Sequence, residues 1–161
     1  MRVLGIIPAR YNSSRFPGKP LAKIHSIPMI GHVYHRSKMS PLLDKVYVAT
    51  CDQEIQEYMA GIGSTAIMTK NTHERCSDRT VEALKKIEGM TGEQSEIVVM
   101  IQGDEPMITP QMLNDAIQSM LDDNSIQVLN LMTPLKTREE HNDSNEIKVV
   151  VDLQSNALYF S

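Results

Sequence analysis

Between Pro8 and Pro20 the chain gathers two guanidinium groups (Arg10 and Arg15), the ammonium of Lys19, the hydroxyls of Ser13 and Ser14, and Gly18. A triphosphate needs several charge-assisted donors at once, with backbone close enough to lend its amides. Glycine permits that approach, and lysine supplies a mobile point charge. The spacing is not that of the GxxxxGK[ST] loop, so any phosphate grip here is of another kind. The same composition also suits a solvated basic connector between a strand and a helix. Its position directly after the apolar run Val3 to Ile7 favours function, because binding groups concentrate on loops held by a rigid scaffold.

A second cluster, Gln102-Gly103-Asp104-Glu105-Pro106, follows the most apolar run of the chain. One carboxylate at a strand end can hold magnesium while water and phosphate oxygens take the other positions. Gln102 offers both donor and acceptor to a base edge or ribose. Acidic residues before a proline are also ordinary turn residues, so this motif gains weight only beside a phosphate loop.

The third cluster is His73-Glu74-Arg75-Cys76-Ser77-Asp78-Arg79. As a metal site it lacks partners at suitable spacing. A Cys–His nucleophile is conceivable with Arg75 beside the thiol, but a polar loop capped into a helix by Ser77 or Asp78 is the better account. Arg79 in a first helical turn is poorly placed for the helix dipole, which points to an anionic partner. His25, His32, His35 and His141 share no site-like spacing, and Lys148 reads as a charge on the solvent face of a strand.

Val3 to Ile7 is a strand buried on both faces, ended by Pro8. Pro28 opens a helix to about Met39, with Met29, Ile30, Val33 and Ser37 inward. Lys45 to Ala49 is a strand, Asp52 caps the next helix, and Gly61 and Gly63 stop it. Thr65 to Thr69 is a third strand, and Val81, Leu84 and Ile87 form the apolar stripe of a helix over 78–87. Ile97 to Ile101 is the strongest strand, and Thr109-Pro110 starts a helix toward Leu121. Val128 to Met132, Ile147 to Val151 and Ala157 to Phe160 read as further strands, with 137–145 an exposed connection. This alternation predicts an α/β fold with an open, mostly parallel sheet covered by helices, whose ligands bind at strand carboxyl ends. The loops after Ile7 and Ile101 are two such ends.

The 161 residues suffice for one domain, and 41% hydrophobic with 22% charged content is ordinary for a globular protein. A net charge of −4 argues against a general nucleic-acid or anionic-membrane binder. Yet four of the sixteen Lys and Arg residues (Arg2, Arg10, Arg15 and Lys19) fall in the first twenty positions. Cys51 and Cys76 have no CxxC spacing, which suits reduced thiols and a cytoplasmic setting. The apolar run at the N-terminus is too short for a signal peptide or a membrane span.

The stretch from Ile7 through Pro8-Ala9-Arg10 to Gly18-Lys19-Pro20-Leu21 resembles the opening motif of the CMP-sugar synthetases, within them the branch acting on 3-deoxy-manno-octulosonate. The resemblance continues in matching order through Val48-Ala49-Thr50, Met68-Thr69 with His73, Asp78-Arg79, Gln102 to Pro106, Lys148-Val149-Val150 and Ala157 to Ser161. It implies a Rossmann-like nucleotidyltransferase fold, three layers α/β/α, with residues 1–161 as a nucleotide-binding domain truncated at its C-terminal end. It further implies transfer of CMP from CTP to an acidic 2-keto-3-deoxy sugar, releasing pyrophosphate, for lipopolysaccharide or surface-polysaccharide synthesis. Arg10, Lys19 and Asp104 would be catalytic. Pro8, Ala9, Ser14, Arg15, Arg79 and Gln102 would join Arg10 and Lys19 on the nucleotide, and Asp104 would hold Mg2+.

One stretch and one single residue depart from the resembled pattern. Arg75-Cys76-Ser77 stands where the family has Ser-Gly-Thr, and Cys51 where an aspartate is usual. The family also runs further, so the second metal aspartate, much of the acidic-sugar pocket and most of a homodimer contact are expected beyond residue 161. A catalytically idle CTP-binding domain is therefore a second reading. A sugar-1-phosphate nucleotidyltransferase is a third, disfavoured because its glycine-rich phosphate loop is absent.

Overall fold

The computed structural model describes residues 2–11 and 16–161, which divide into two compact units, one to Ile126 and one from Gln127. In the first unit the strands are β1 (Val3–Pro8), β2 (Lys23–Ile24), β3 (Ile27–Pro28), β4 (Lys45–Thr50), β5 (Ala66–Met68) and β6 (Ile97–Met100). The helices are α1 (Met29–Lys38), α2 (Gln53–Gly61), α3 (Cys76–Thr91) and α4 (Pro110–Asp122), with a 3-10 turn at Lys19–Leu21.

Four strands form a parallel sheet in the order β5-β4-β1-β6, as the alternation predicts. All six residues of β1 are buried because it is flanked on both edges and covered on both faces. Alternation of side chains divides its contacts. Ile7 packs with Val48 and with Ile30, Val33, Ile55, Met59 and Leu113 of α1, α2 and α4, while Leu4 and Ile6 pack with Ala83 and Ile87 of α3. Helices therefore cover both faces, the three-layer arrangement the resemblance implies. Each fully buried Ile or Leu contributes about 1.5–3 kcal/mol of transfer free energy, and such residues set the register of the whole sheet.

Local signals explain most boundaries. The Thr109 hydroxyl accepts Met112 N–H at 3.2 Å with Pro110 in the first turn, so α4 begins where cap chemistry requires. Gly92 closes α3 at φ 71°, and Gly63 follows α2 at φ 72°. Glycine at 31 lets α2 approach α1, since a Cβ there would fall 2.1 Å from the Tyr58 hydroxyl.

Several expectations are corrected. Helix α3 begins at Cys76 with Arg75 as N-cap and no side-chain cap, so Ser77 and Asp78 lie inside the first turn. Its inward face is Thr80, Ala83 and Ile87, with Leu84 beside them, while Val81 is 49% exposed. The helical stripe runs 80-83-84-87, about 100° from Val81. Asp52 does occupy the N-cap of α2 but makes no side-chain cap bond. Met29 is only half-buried in α1, whereas Gly31 and Tyr34 are buried.

The second unit, taken by itself, holds a short helix α5 (Arg138–Asn142) and an antiparallel hairpin of β7 (Val149–Val151) and β8 (Ala157–Phe160). The connection expected over 137–145 is thus partly helical: Thr137 and Glu140 form a reciprocal capping box. Val128 to Met132 is not a strand, and Val128 is 83% exposed. An apolar run becomes a strand only with a hydrogen-bonding partner, and these residues have no ladder bonds. Lys148 sits at the hairpin mouth, where its backbone N–H and C=O pair with Ser161.

Candidate functional site

The sheet order reverses at β1, whose two neighbours lead to opposite edges, and the carboxyl ends of β1 and β6 open there into a cleft of ≈ 620 Å³. That volume lies within the range of about 300–1,000 Å³ common for small-molecule sites. Ile101 N–H donates to Ile6 O at 2.9 Å and Ala9 N–H to Ala49 O at 2.9 Å, extending the ladder to the lip of the cleft. Pro8 at the end of β1, Ala9 and Arg10 after it, and Gln102, Gly103 and Asp104 after β6 all line the same space. Gly103 makes this approach feasible: a Cβ there would lie 2.8 Å from the Pro8 carbonyl oxygen.

The 3-10 turn brings Lys19 to the cleft. Gly18 enters it at φ 74°, and Leu21 N–H donates to Gly18 O at 2.9 Å. Lys19 Nζ then lies 2.7 Å from Asp104 Oδ2, joining the loop after β1 to the loop after β6. Both side chains are partly exposed, so the pair is screened by water and free to exchange partners.

Residues 73–76 and Arg79 form the facing wall. Arg79 is 3% exposed and donates through Nη1 to Thr69 Oγ1 and, at 3.4 Å, to Lys70 O. A guanidinium so buried and so positioned by backbone and hydroxyl oxygens lends a fixed positive charge to the cleft. The β5–α3 loop is clamped a second time by Glu82 of α3. This carboxylate accepts Lys70 N–H at 3.1 Å, binds His73 Nε2, and pairs with Lys86 Nζ at 2.7 Å. Lys86, then His73, hold its pKa down to about 2, outweighing partial burial.

Of the residues singled out from sequence, Pro8, Ala9, Arg10, Lys19, Arg79, Gln102 and Asp104 meet in this one cleft, while Ser14 and Arg15 fall outside the described residues. Cys76 lies exposed at the rim, and the partner of the His73 ring is Glu82 rather than a thiol. His32 bonds the Ile24 carbonyl and His35 stacks edge-on against Tyr34, neither lining the cleft, and His141 of the second unit meets Asn142. Sequence reasoning missed the Glu82 clamp, although the Glu82–Lys86 spacing is that of an i,i+4 helix pair. It also missed Phe16 and Pro20 as lining residues.

Chemically, the residues lining the cleft include four cationic side chains (Arg10, Lys19, Arg75 and Arg79), two carboxylates (Glu74 and Asp104) and one amide (Gln102). Such a set suits a polyanion with a polar aglycone. No helix among the described residues is long and apolar enough to cross a membrane.

The family model described as cytidylyltransferase matches residues 4–161. The 3-deoxy-manno-octulosonate cytidylyltransferases of Syntrophobacter fumaroxidans and Pelobacter propionicus are 44% and 41% identical over the whole chain. The chain spans 63% and 61% of their lengths. A solved CMP:2-keto-3-deoxy-manno-octonic acid synthetase complexed with CTP superimposes with a TM-score of 0.87 at 38% identity, over 100% of this chain and 64% of that one. A cytidylyltransferase structure from Leptospira borgpetersenii shares the fold at a TM-score of 0.63 and 24% identity, over 76% of this chain and 50% of its own.

Proposed function

This chain belongs to the cytidylyltransferase family, and on that footing we propose that it activates an acidic 2-keto-3-deoxy sugar, 3-deoxy-manno-octulosonate or a close analogue, with CTP. The products are a CMP-sugar and pyrophosphate, and the reaction serves lipopolysaccharide or surface-polysaccharide synthesis in the cytoplasm. The observation that carries this reading is the convergence of Arg10 and Lys19, from the loop after β1, with Asp104, from the loop after β6, at the reversal of strand order.

The roles follow from charge and position. Arg10 and Lys19 bind the phosphates and neutralise charge that builds on the departing pyrophosphate. Pro8 and Ala9 supply close backbone, Ser14 and Arg15 support the phosphates, and Arg79 and Gln102 hold the nucleoside. The sugar's anomeric hydroxyl forms its bond to the α-phosphorus as the bond to pyrophosphate breaks. Residues 1–161 belong to the nucleotide-binding domain in this reading, and homodimerisation belongs to the same proposal.

A divalent cation fits the donor set in one mode. No group of three or more His, Cys, Asp or Glu converges among the described residues, so a protein-only cage does not fit. The partly exposed carboxylate of Asp104 fits a cation shared with substrate phosphates. Mg2+ held there would neutralise phosphate charge, and a second magnesium would lower the pKa of the attacking hydroxyl.

The test is incubation with CTP, Mg2+ and 3-deoxy-manno-octulosonate, with CTP binding and pyrophosphate release followed together. Release that depends on both substrates is expected. Release at equal rates with UTP or ATP would sink the CTP assignment. The chain spans 63% of the length of its relative. A CTP-binding domain without turnover is the second reading. Binding without release would select it.

A further inference from the structure

Asp52 stands at the N-cap of α2, where a carboxylate ordinarily accepts an amide of the first helical turn. Its side chain makes no such bond. Oδ2 instead accepts the backbone N–H of Tyr11 at 2.6 Å, and the Cys51 thiol lies 3.6 Å from the same oxygen. Asp52 is itself fixed to the end of β4, since its N–H donates to Thr50 Oγ1 at 3.1 Å and Thr50 is fully buried.

Tyr11 is the residue after Arg10, and its other backbone group is also engaged. Its carbonyl accepts Gly18 N–H at 2.8 Å, one residue before Lys19. The Tyr11 ring lies against Gly18, where a Cβ would come 3.1 Å from it. Tyr11 thus ties together the two ends of the loop that carries Arg10 and Lys19, and Asp52 ties Tyr11 to the sheet. A carboxylate would repel a polyphosphate, so its place behind the loop, bonded to backbone, is the electrostatically acceptable one.

We infer that Asp52 is a positioning residue that anchors the phosphate-facing loop through the Tyr11 amide, so that Arg10 and Lys19 meet the triphosphate already oriented. Preorganisation of this kind raises affinity because less ordering remains to be done on binding. The inference rests on the CTP-binding reading above.

Asp52→Ser separates this role from helix capping. Serine caps a helix as well as aspartate does but is one bond shorter, too short to hold the Tyr11 amide. CTP and CMP affinities are measured calorimetrically for the wild-type chain, D52S and D52N, with thermal unfolding and Tyr11 amide exchange on the same samples. The expected result is CTP binding weakened about tenfold in D52S, the loss of one charge-assisted bond. CMP binding should change far less, and Tyr11 exchange should quicken. D52N, which keeps an acceptor at full reach, should recover most of the affinity. Unchanged CTP affinity in D52S beside a binding wild type would overturn this inference alone. If the wild type binds no CTP, the functional reading falls and takes this one with it, whatever Tyr11 exchange shows.

Discussion

Lys19 Nζ and Asp104 Oδ2 lie 2.7 Å apart, although 85 residues separate them in the chain. The contact joins the loop that would hold phosphates to the carboxylate that would hold a cation. Each is the other's counter-ion, and an incoming nucleotide–cation pair offers each a new partner of the right sign. Both groups are partly exposed, so replacing either should shift unfolding by no more than about 0.5–1 kcal/mol.

Function should respond far more than stability. Asp104→Asn is expected to abolish pyrophosphate release while the protein keeps its fold and its CTP binding. Lys19→Ala is expected to raise the Michaelis constant for CTP about tenfold or more, the loss of one charge-assisted contact. Steady-state kinetics with circular dichroism and urea melts check both. Retained turnover in Asp104→Asn would remove Asp104 from the metal role.

The Glu82 clamp makes an acid-stability prediction. Its pKa in the folded protein is about 2, lowered from 4.5 chiefly by Lys86 and then by His73. A depressed carboxylate pKa means that the folded state binds the proton less readily than the unfolded state. The stabilisation is therefore fully present above pH 4.5 and is lost as pH falls from 4.5 toward 2. Urea midpoints of the wild type and Glu82→Gln should differ by a constant amount above pH 5 or so and converge through this acid range. A constant difference across the whole range would show that Glu82 is not held in its charged form by these partners.

The parts of this site that were legible in sequence are those written in local pattern. The apolar runs of β1 and β6, the Thr109-Pro110 start of α4 and the basic Pro8–Pro20 loop all announce themselves within a few residues. What sequence conceals is choice among partners. Asp52 has the residue type of a cap and takes the position of one, yet bonds a backbone amide 41 residues away. Val81 belongs by spacing to the same helix as Ile87, but the sheet selects a stripe one step over. The β2–β3 hairpin turns at His25 with φ 56°, a conformation no glycine or asparagine there foretold. The clamp of Glu82 on Lys70 and His73 depends on how the β5–α3 loop folds back, a tertiary fact without a local signature.

Gly103 gives the most stringent test of the cleft's geometry, because the neighbour it must avoid is backbone. A Cβ at 103 would sit 2.8 Å from the Pro8 carbonyl oxygen, with Ile30 and Ile7 side chains at 3.4 and 3.5 Å behind it. A flexible side chain could swing aside, but a carbonyl at the end of a fully buried central strand cannot. Gly103→Ala should therefore push the loop after β6 outward, carrying Gln102 and Asp104 away from Arg10 and Lys19. The expected cost is about 1–3 kcal/mol in stability, the usual range for overpacking, with a loss of CTP affinity on top of it. Binding should fall even at temperatures where the variant is wholly folded, which calorimetry at several temperatures can establish. A variant that is destabilised but binds CTP normally would show that the two loops need not meet for the nucleotide to be held.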